Sequence, residues 1–163
     1  MGIRLIFAAI ACLTSYVFKS WTYNFVLGNQ AAGAGKTISV DVSDTSQGVF
    51  KVSGNDFLGN INFTGTALPN SGGKDEVVLG AGDDVVNLYL GDDIVTGGAG
   101  DDTIDGWSGN DVIDGGAGTD TLNFLNFTNT AEISLSTGGA TNFENILGSD
   151  GSETIKGDAN ANI

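Results

Sequence analysis

Between Asn70 and Asn123 the chain repeats every nine residues without insertion: NSGGKDEVV, LGAGDDVVN, LYLGDDIVT, GGAGDDTID, GWSGNDVID and GGAGTDTLN. Position four is always glycine (Gly73, Gly82, Gly91, Gly100, Gly109, Gly118) and position six always aspartate (Asp75, Asp84, Asp93, Asp102, Asp111, Asp120). Position eight is always aliphatic (Val77, Val86, Val95, Ile104, Ile113, Leu122). At this chain's own residue frequencies, chance agreement in all three columns is on the order of 10⁻¹³. A strict period of this kind marks a stacked architecture, in which each unit buries its apolar face against the next.

Glycine at position four permits a tight turn or a close backbone approach, so six-residue loops are expected to feed three-residue strands. In such a strand the middle residue points one way and its neighbours the other. Position eight therefore fills an interior, while positions seven and nine face outward. Two nonapeptides complete one coil, so repeats n and n+2 stack. The expected fold is all-β, a parallel β-roll (a right-handed β-solenoid) with a small β-structured N-terminal cap.

Stacking at the usual strand spacing of about 4.8 Å lines Asp75, Asp93 and Asp111 in one column and Asp84, Asp102 and Asp120 in another. Like charges at that distance repel by about 0.9 kcal/mol per pair even in bulk water. A hard divalent cation between turns relieves the repulsion by taking carboxylate and turn-carbonyl oxygens, which matches the six to eight oxygen ligands that calcium prefers. Magnesium's stricter octahedron suits such a cage less well.

Composition agrees. The chain has 163 residues with 26 glycines, one proline and a net charge of -14, and the repeat tract holds twelve of the twenty acidic residues against one base, Lys74. Nucleic acid and anionic membrane surfaces would be repelled, and cations are the natural partner. With no histidine and a single cysteine, Cys12, zinc sites, Cys/His pairs and Ser/His/Asp triads are excluded. No catalytic constellation remains, so the chain is not expected to be an enzyme.

The nonapeptides resemble the GGxGxDxUx repeats of the RTX, or hemolysin-type calcium-binding, family of secreted bacterial proteins. GGAGDDTID at Gly97 to Asp105 and GGAGTDTLN at Gly115 to Asn123 agree best, while Leu88-Tyr89 and Gly106-Trp107 depart at positions one and two. The resemblance implies that the six position-six aspartates bind calcium through their side chains and that turn residues, the six position-four glycines among them, contribute carbonyls. About four ions are expected if each column of three turns holds two. It also implies an extracellular, bacterial protein that stays unfolded in a low-calcium cytosol, leaves through type I secretion machinery and folds outside. Asp83, Asp92, Asp101 and Asn110 at position five are read as turn-forming or as supporting the ligands.

Outside 70–123 the chain says less. Residues 1–20 contain an uncharged stretch, Leu5 to Phe18, between Arg4 and Lys19. It reads as a signal-like segment or a wrongly assigned start, and is short for a membrane span. Residues 22–69 carry alternating stretches at Thr37 to Val42, Gly48 to Ser53 and Asn60 to Thr64, read as the cap. GAGKT at Gly33 to Thr37 lacks the earlier glycine of a phosphate loop, having Gln30 there, and a β pattern follows it where a helix is needed. Residues 124–147 are expected to form a longer, irregular coil. Residues 148–163 resume the repeat, with Glu153 replacing aspartate, and stop within a turn, as a truncated product would. Two further functional readings are a truncated exoenzyme or toxin whose catalytic domain is missing, and a surface adhesin or ice-binding solenoid. The latter needs a uniform outward ladder, whereas position nine reads Val78, Asn87, Thr96, Asp105, Asp114 and Asn123.

Overall fold

A computed structural model describes residues 3–6, 22–27, 35–43, 49–65, 74–105, 110–125, 132–134, 140–149 and 154–156. Gly73, Gly109, Glu153, the tail from 157 onward and most of 1–20 lie outside the described residues. The described residues form strands and no helix: β1 (Ile3–Ile6), β2 (Thr22–Val26), β3 (Thr37–Asp41), β4 (Val49–Ser53), β5 (Asn60–Thr64), β6 (Glu76–Val78), β7 (Val85–Asn87), β8 (Ile94–Ala99), β9 (Thr103–Asp105), β10 (Val112–Ala117), β11 (Thr121–Asn123), β12 (Glu132–Ser134), β13 (Ala140–Thr141), β14 (Asn145–Leu147) and β15 (Thr154–Lys156). Among these residues no helix is long and apolar enough to cross a membrane.

Alternate strands fall into two sheets, ordered β1-β3-β5-β7-β9-β11-β14 and β2-β4-β6-β8-β10-β13. Every pairing is parallel, and β12 pairs with β15 in a small sheet of its own. Within the repeats the register is eighteen residues: Val77 lies opposite Val95 and Val95 opposite Ile113, and on the other sheet Val86 lies opposite Ile104 and Ile104 opposite Leu122. This is a parallel β-roll of two nonapeptides per coil. β4 pairs with β6 and β5 with β7, so the strands β2 to β5 belong to the same two sheets as the repeats.

The strands are not uniformly three residues long. β8 and β10 run for six, through positions one to three of the following repeat, where Gly98 pairs with Gly116 and Ala99 with Ala117. The sequence reading placed these residues in the loop because of their glycines. Absence of a side chain is what lets the two backbones stay in ladder contact past the end of an ordinary strand. A Cβ at Gly116 would collide with the Gly98 carbonyl, and the Gly116 backbone has φ 109°, a region glycine alone enters freely.

The interior changes along the roll. β4 sends Phe50 and Val52 inward and β5 sends Ile61 and Phe63, all nearly fully buried, and Val40, Val42 and Phe57 join them. In the repeats each strand contributes one buried aliphatic at position eight, with Leu79 and Leu88 adding to the first of these coils. The residues opposite Phe50 and Ile61 in the next coil are Asp75 and Asp84, as the pairs Lys51–Glu76 and Asn62–Val85 require. Hydrocarbon therefore gives way to carboxylate at one level of the interior. Lys51 and Glu76 also form a cross-strand ion pair at this junction.

Truncating Phe63, which is 1% exposed, to alanine should cost roughly 3–5 kcal/mol in denaturant unfolding with calcium in excess. Leu58→Ala, at a site 49% exposed, should stay within about 0.5 kcal/mol of wild type.

Candidate metal centre

Position six has the same parity as position eight, so its side chain points into the roll. Asp75, Asp84, Asp93, Asp102 and Asp120 are buried, and Asp111 is half-buried. Each column is tied by hydrogen bonds from one coil to the next. The N–H of Asp75 donates to Oδ1 of Asp93 (2.7 Å) and that of Asp93 to Oδ1 of Asp111 (2.9 Å). In the other column the N–H of Asp84 donates to Asp102 (2.8 Å) and that of Asp102 to Asp120 (2.9 Å). The columns start on hydrocarbon residues: the Phe50 N–H donates to Asp75 and the Ile61 N–H to Asp84. Position five forms a second ladder of opposite sense, on the exposed side. Oδ1 of Asp83 accepts from the Asp101 N–H, Asp101 from Thr119, and Asp92 from Asn110.

At Asp84, Asp93, Asp102 and Asp120 one carboxylate oxygen is thus satisfied and the other is not. Oδ2 of Asp84, Asp93, Asp102 and Asp120 is enclosed, with no hydrogen-bond partner among the described residues. Leaving a buried acceptor unsatisfied costs on the order of 1–3 kcal/mol, and more if it is charged. Burial accordingly pushes the carboxyls up from 3.8, to about 6 at Asp84, about 7 at Asp102 and about 8 at Asp93. Neighbouring carboxylates add to the rise, and the backbone hydrogen bonds only partly oppose it. Asp111 and Asp120 are raised as well, chiefly by burial.

The turns bring carbonyl oxygens to the same places. A Cβ at Gly97 would collide with both Oδ2 of Asp102 and the carbonyl oxygen of Gly115 in the next coil. The arrangement recurs at Gly65, where a Cβ would stand 2.9 Å from Oδ2 of Asp75 and 2.8 Å from the Leu88 carbonyl oxygen. Carboxylate oxygen, carbonyl oxygen and a missing side chain therefore converge on one point in each. Of the position-four glycines, Gly100 and Gly118 have backbones that favour glycine (φ 123° and 152°) and lie on the carbonyls of Gly82 and Gly100. Gly82 lies on the Gly59 carbonyl, and Gly91 has φ 151°.

Among the described residues no three His, Cys, Asp or Glu side chains converge as a metal cluster. A cation at these points would meet carboxylate oxygens singly, with turn carbonyls beside them. That all-oxygen, carbonyl-rich set fits calcium better than metals that prefer nitrogen or sulfur.

Sequence reasoning overlooked Glu144, whose Oε2 accepts the Asp120 N–H at 2.8 Å. The available signal was its spacing: Glu144-Asn145-Ile146 repeats the acid, any residue, aliphatic order of positions six to eight.

A two-sheet roll whose turns stack buried carboxylates over carbonyls defines a class of cation-binding repeat protein. Residues 71–100 and 89–122 match the family model of the RTX calcium-binding nonapeptide repeat, in four copies. The matched residues are less than half of the chain, and the repeats that the model describes bind calcium. No curated protein and no solved structure matches the chain.

The carboxyl pKa values in the metal-free roll are raised, so the folded chain holds protons that the unfolded chain releases. The contribution is fully present below 3.8 and is lost as pH rises through about 6, 7 and 8 at Asp84, Asp102 and Asp93. In chelator, far-ultraviolet circular dichroism should therefore show more roll at pH 4 than at pH 8. Asp93→Asn should make the chelated protein more resistant to denaturant at pH 8 while reducing its response to calcium.

Proposed function

We propose that the repeat tract is a calcium-induced folding module of a secreted bacterial protein, with Asp75, Asp84, Asp93, Asp102, Asp111 and Asp120 as side-chain ligands and turn carbonyls completing each site. The observation that carries this reading is the row of enclosed Oδ2 atoms. A metal-free roll at neutral pH must either hold carboxylates charged and unsatisfied or take up protons, and both choices disfavour folding. Calcium supplies the missing partner. It binds the folded chain in preference to the unfolded one, and a single site at 100 times its dissociation constant adds about 2.7 kcal/mol.

Low cytosolic calcium then keeps the tract open for export by a type I system, and calcium outside closes it. The signal-like stretch at Leu5 to Phe18 belongs to a different export route, and β1 includes its first two residues in a strand beside β3. The chain's own residues bind and fold. An enzymatic or toxic activity, if the whole protein has one, belongs to residues beyond this roll. The adhesin and ice-binding readings gain no support from the irregular outward position nine.

Adding calcium to protein in chelator at pH 7.5 should produce the β spectrum in one cooperative step. Calorimetric titration should count about four ions in the 70–123 tract, as expected for oxygen-caged sites between stacked turns. A roll equally formed in excess chelator would sink the proposal.

A further inference from the structure

The carboxylate column of Asp84, Asp102 and Asp120 continues past the nonapeptides. β14 lies in register on β11, with Asn145 opposite Thr121 and Ile146 opposite Leu122. Glu144 therefore occupies the level that position six occupies in the repeats, although it lies beyond residue 122, where the family match ends. Its carboxylate accepts the Asp120 N–H at 2.8 Å, as Asp120 accepts that of Asp102 at 2.9 Å.

The carbonyl side is replaced just as consistently. Gly115 faces the Asn142 carbonyl in the way that Gly97 faces the Gly115 carbonyl, and a Cβ at Gly115 would stand 2.8 Å from Oδ2 of Asp120. Asp120 itself is 0% exposed, and this Oδ2 has no hydrogen-bond partner among the described residues. The intervening turn is short, since only Asn142, Phe143 and Glu144 separate β13 from β14. Asn142 makes it by taking φ 55°, held by its side-chain Nδ2 on Oδ1 of Asp114 at 2.7 Å. Phe143, 2% exposed, fills the interior beneath.

We propose that Oδ2 of Asp120, the Asn142 carbonyl and the Glu144 carboxylate form a further calcium site, one coil beyond the matched repeats, with Glu144 as a ligand. The proposal rests on the calcium reading above. It differs from a plain end-cap in requiring the charge of Glu144 and not merely its acceptor oxygen.

Calorimetric calcium titration of the full chain and of Glu144→Gln and Glu144→Asp tests it. Glutamine keeps an oxygen for the Asp120 N–H and removes the charge. The expected result is one ion fewer, or one ion bound at least about tenfold more weakly, in Glu144→Gln, with the wild-type count kept in Glu144→Asp. Identical counts and affinities in wild type and Glu144→Gln would overturn it while leaving the repeat sites intact. Calcium binding absent from wild type would overturn the broader reading as well. Should Glu144→Gln not fold in saturating calcium, anomalous diffraction from wild-type crystals grown with calcium decides. An ion within about 2.3–2.6 Å of a Glu144 oxygen supports the site, and ions at Asp102 with none at Glu144 refute it.

Discussion

Everything in this molecule follows from parity. Residues two apart on a strand share a face, so a nonapeptide that buries an aliphatic at position eight must also bury whatever stands at position six. Here that is an aspartate in every repeat. The backbone of the neighbouring coil satisfies one oxygen of each stacked carboxylate, from Asp75 to Asp93 and Asp84 to Asp102 onward. At Asp84, Asp93, Asp102 and Asp120 the second oxygen is left facing the turn. The glycines then follow, because Gly97 and Gly115 leave the room into which that oxygen and the next coil's carbonyl both project.

The roll is consequently two materials joined end to end. Its first coils are held by Phe50, Val52, Ile61 and Phe63, side chains whose burial is worth about 1.5–3 kcal/mol each without help from any ion. Its later coils bury single aliphatics such as Ile104, Ile113 and Leu122, and depend on what surrounds the carboxylates. The hydrocarbon end presents Phe50 and Ile61 as ready-made amide donors for the first two carboxylates, Asp75 and Asp84. The hydrocarbon part thus offers a template for the carboxylate part.

The repeats were legible because their spacing is constant. Six aspartates at intervals of nine announce the two columns, the eighteen-residue register and the oxygen chemistry. The outer coils were harder to read because their register is not constant. Phe50 meets Asp75 across 25 residues, Ile61 meets Asp84 across 23, and Asp120 meets Glu144 across 24. Lengthening a surface loop costs little, so strands stay in line while their sequence spacing drifts, and a search for a fixed period loses them. Alternation at Val49–Ser53 and Asn60–Thr64 revealed strands without revealing their partners. The extension of β8 and β10 was hidden for another reason, since paired glycines look like loop in sequence.

The opposed senses of the two aspartate ladders have a mechanical consequence. At position six the later coil supplies the carboxylate and the earlier coil the amide, while at position five the roles are exchanged. A pull on the C-terminal end therefore cannot free the last coil by breaking bonds of one kind, and must strip its acceptors and its donors together. Such a roll peels in whole turns. Within the repeats each turn would release eighteen residues, about 60 Å of extended chain, so that tract under tension would pay out in even steps.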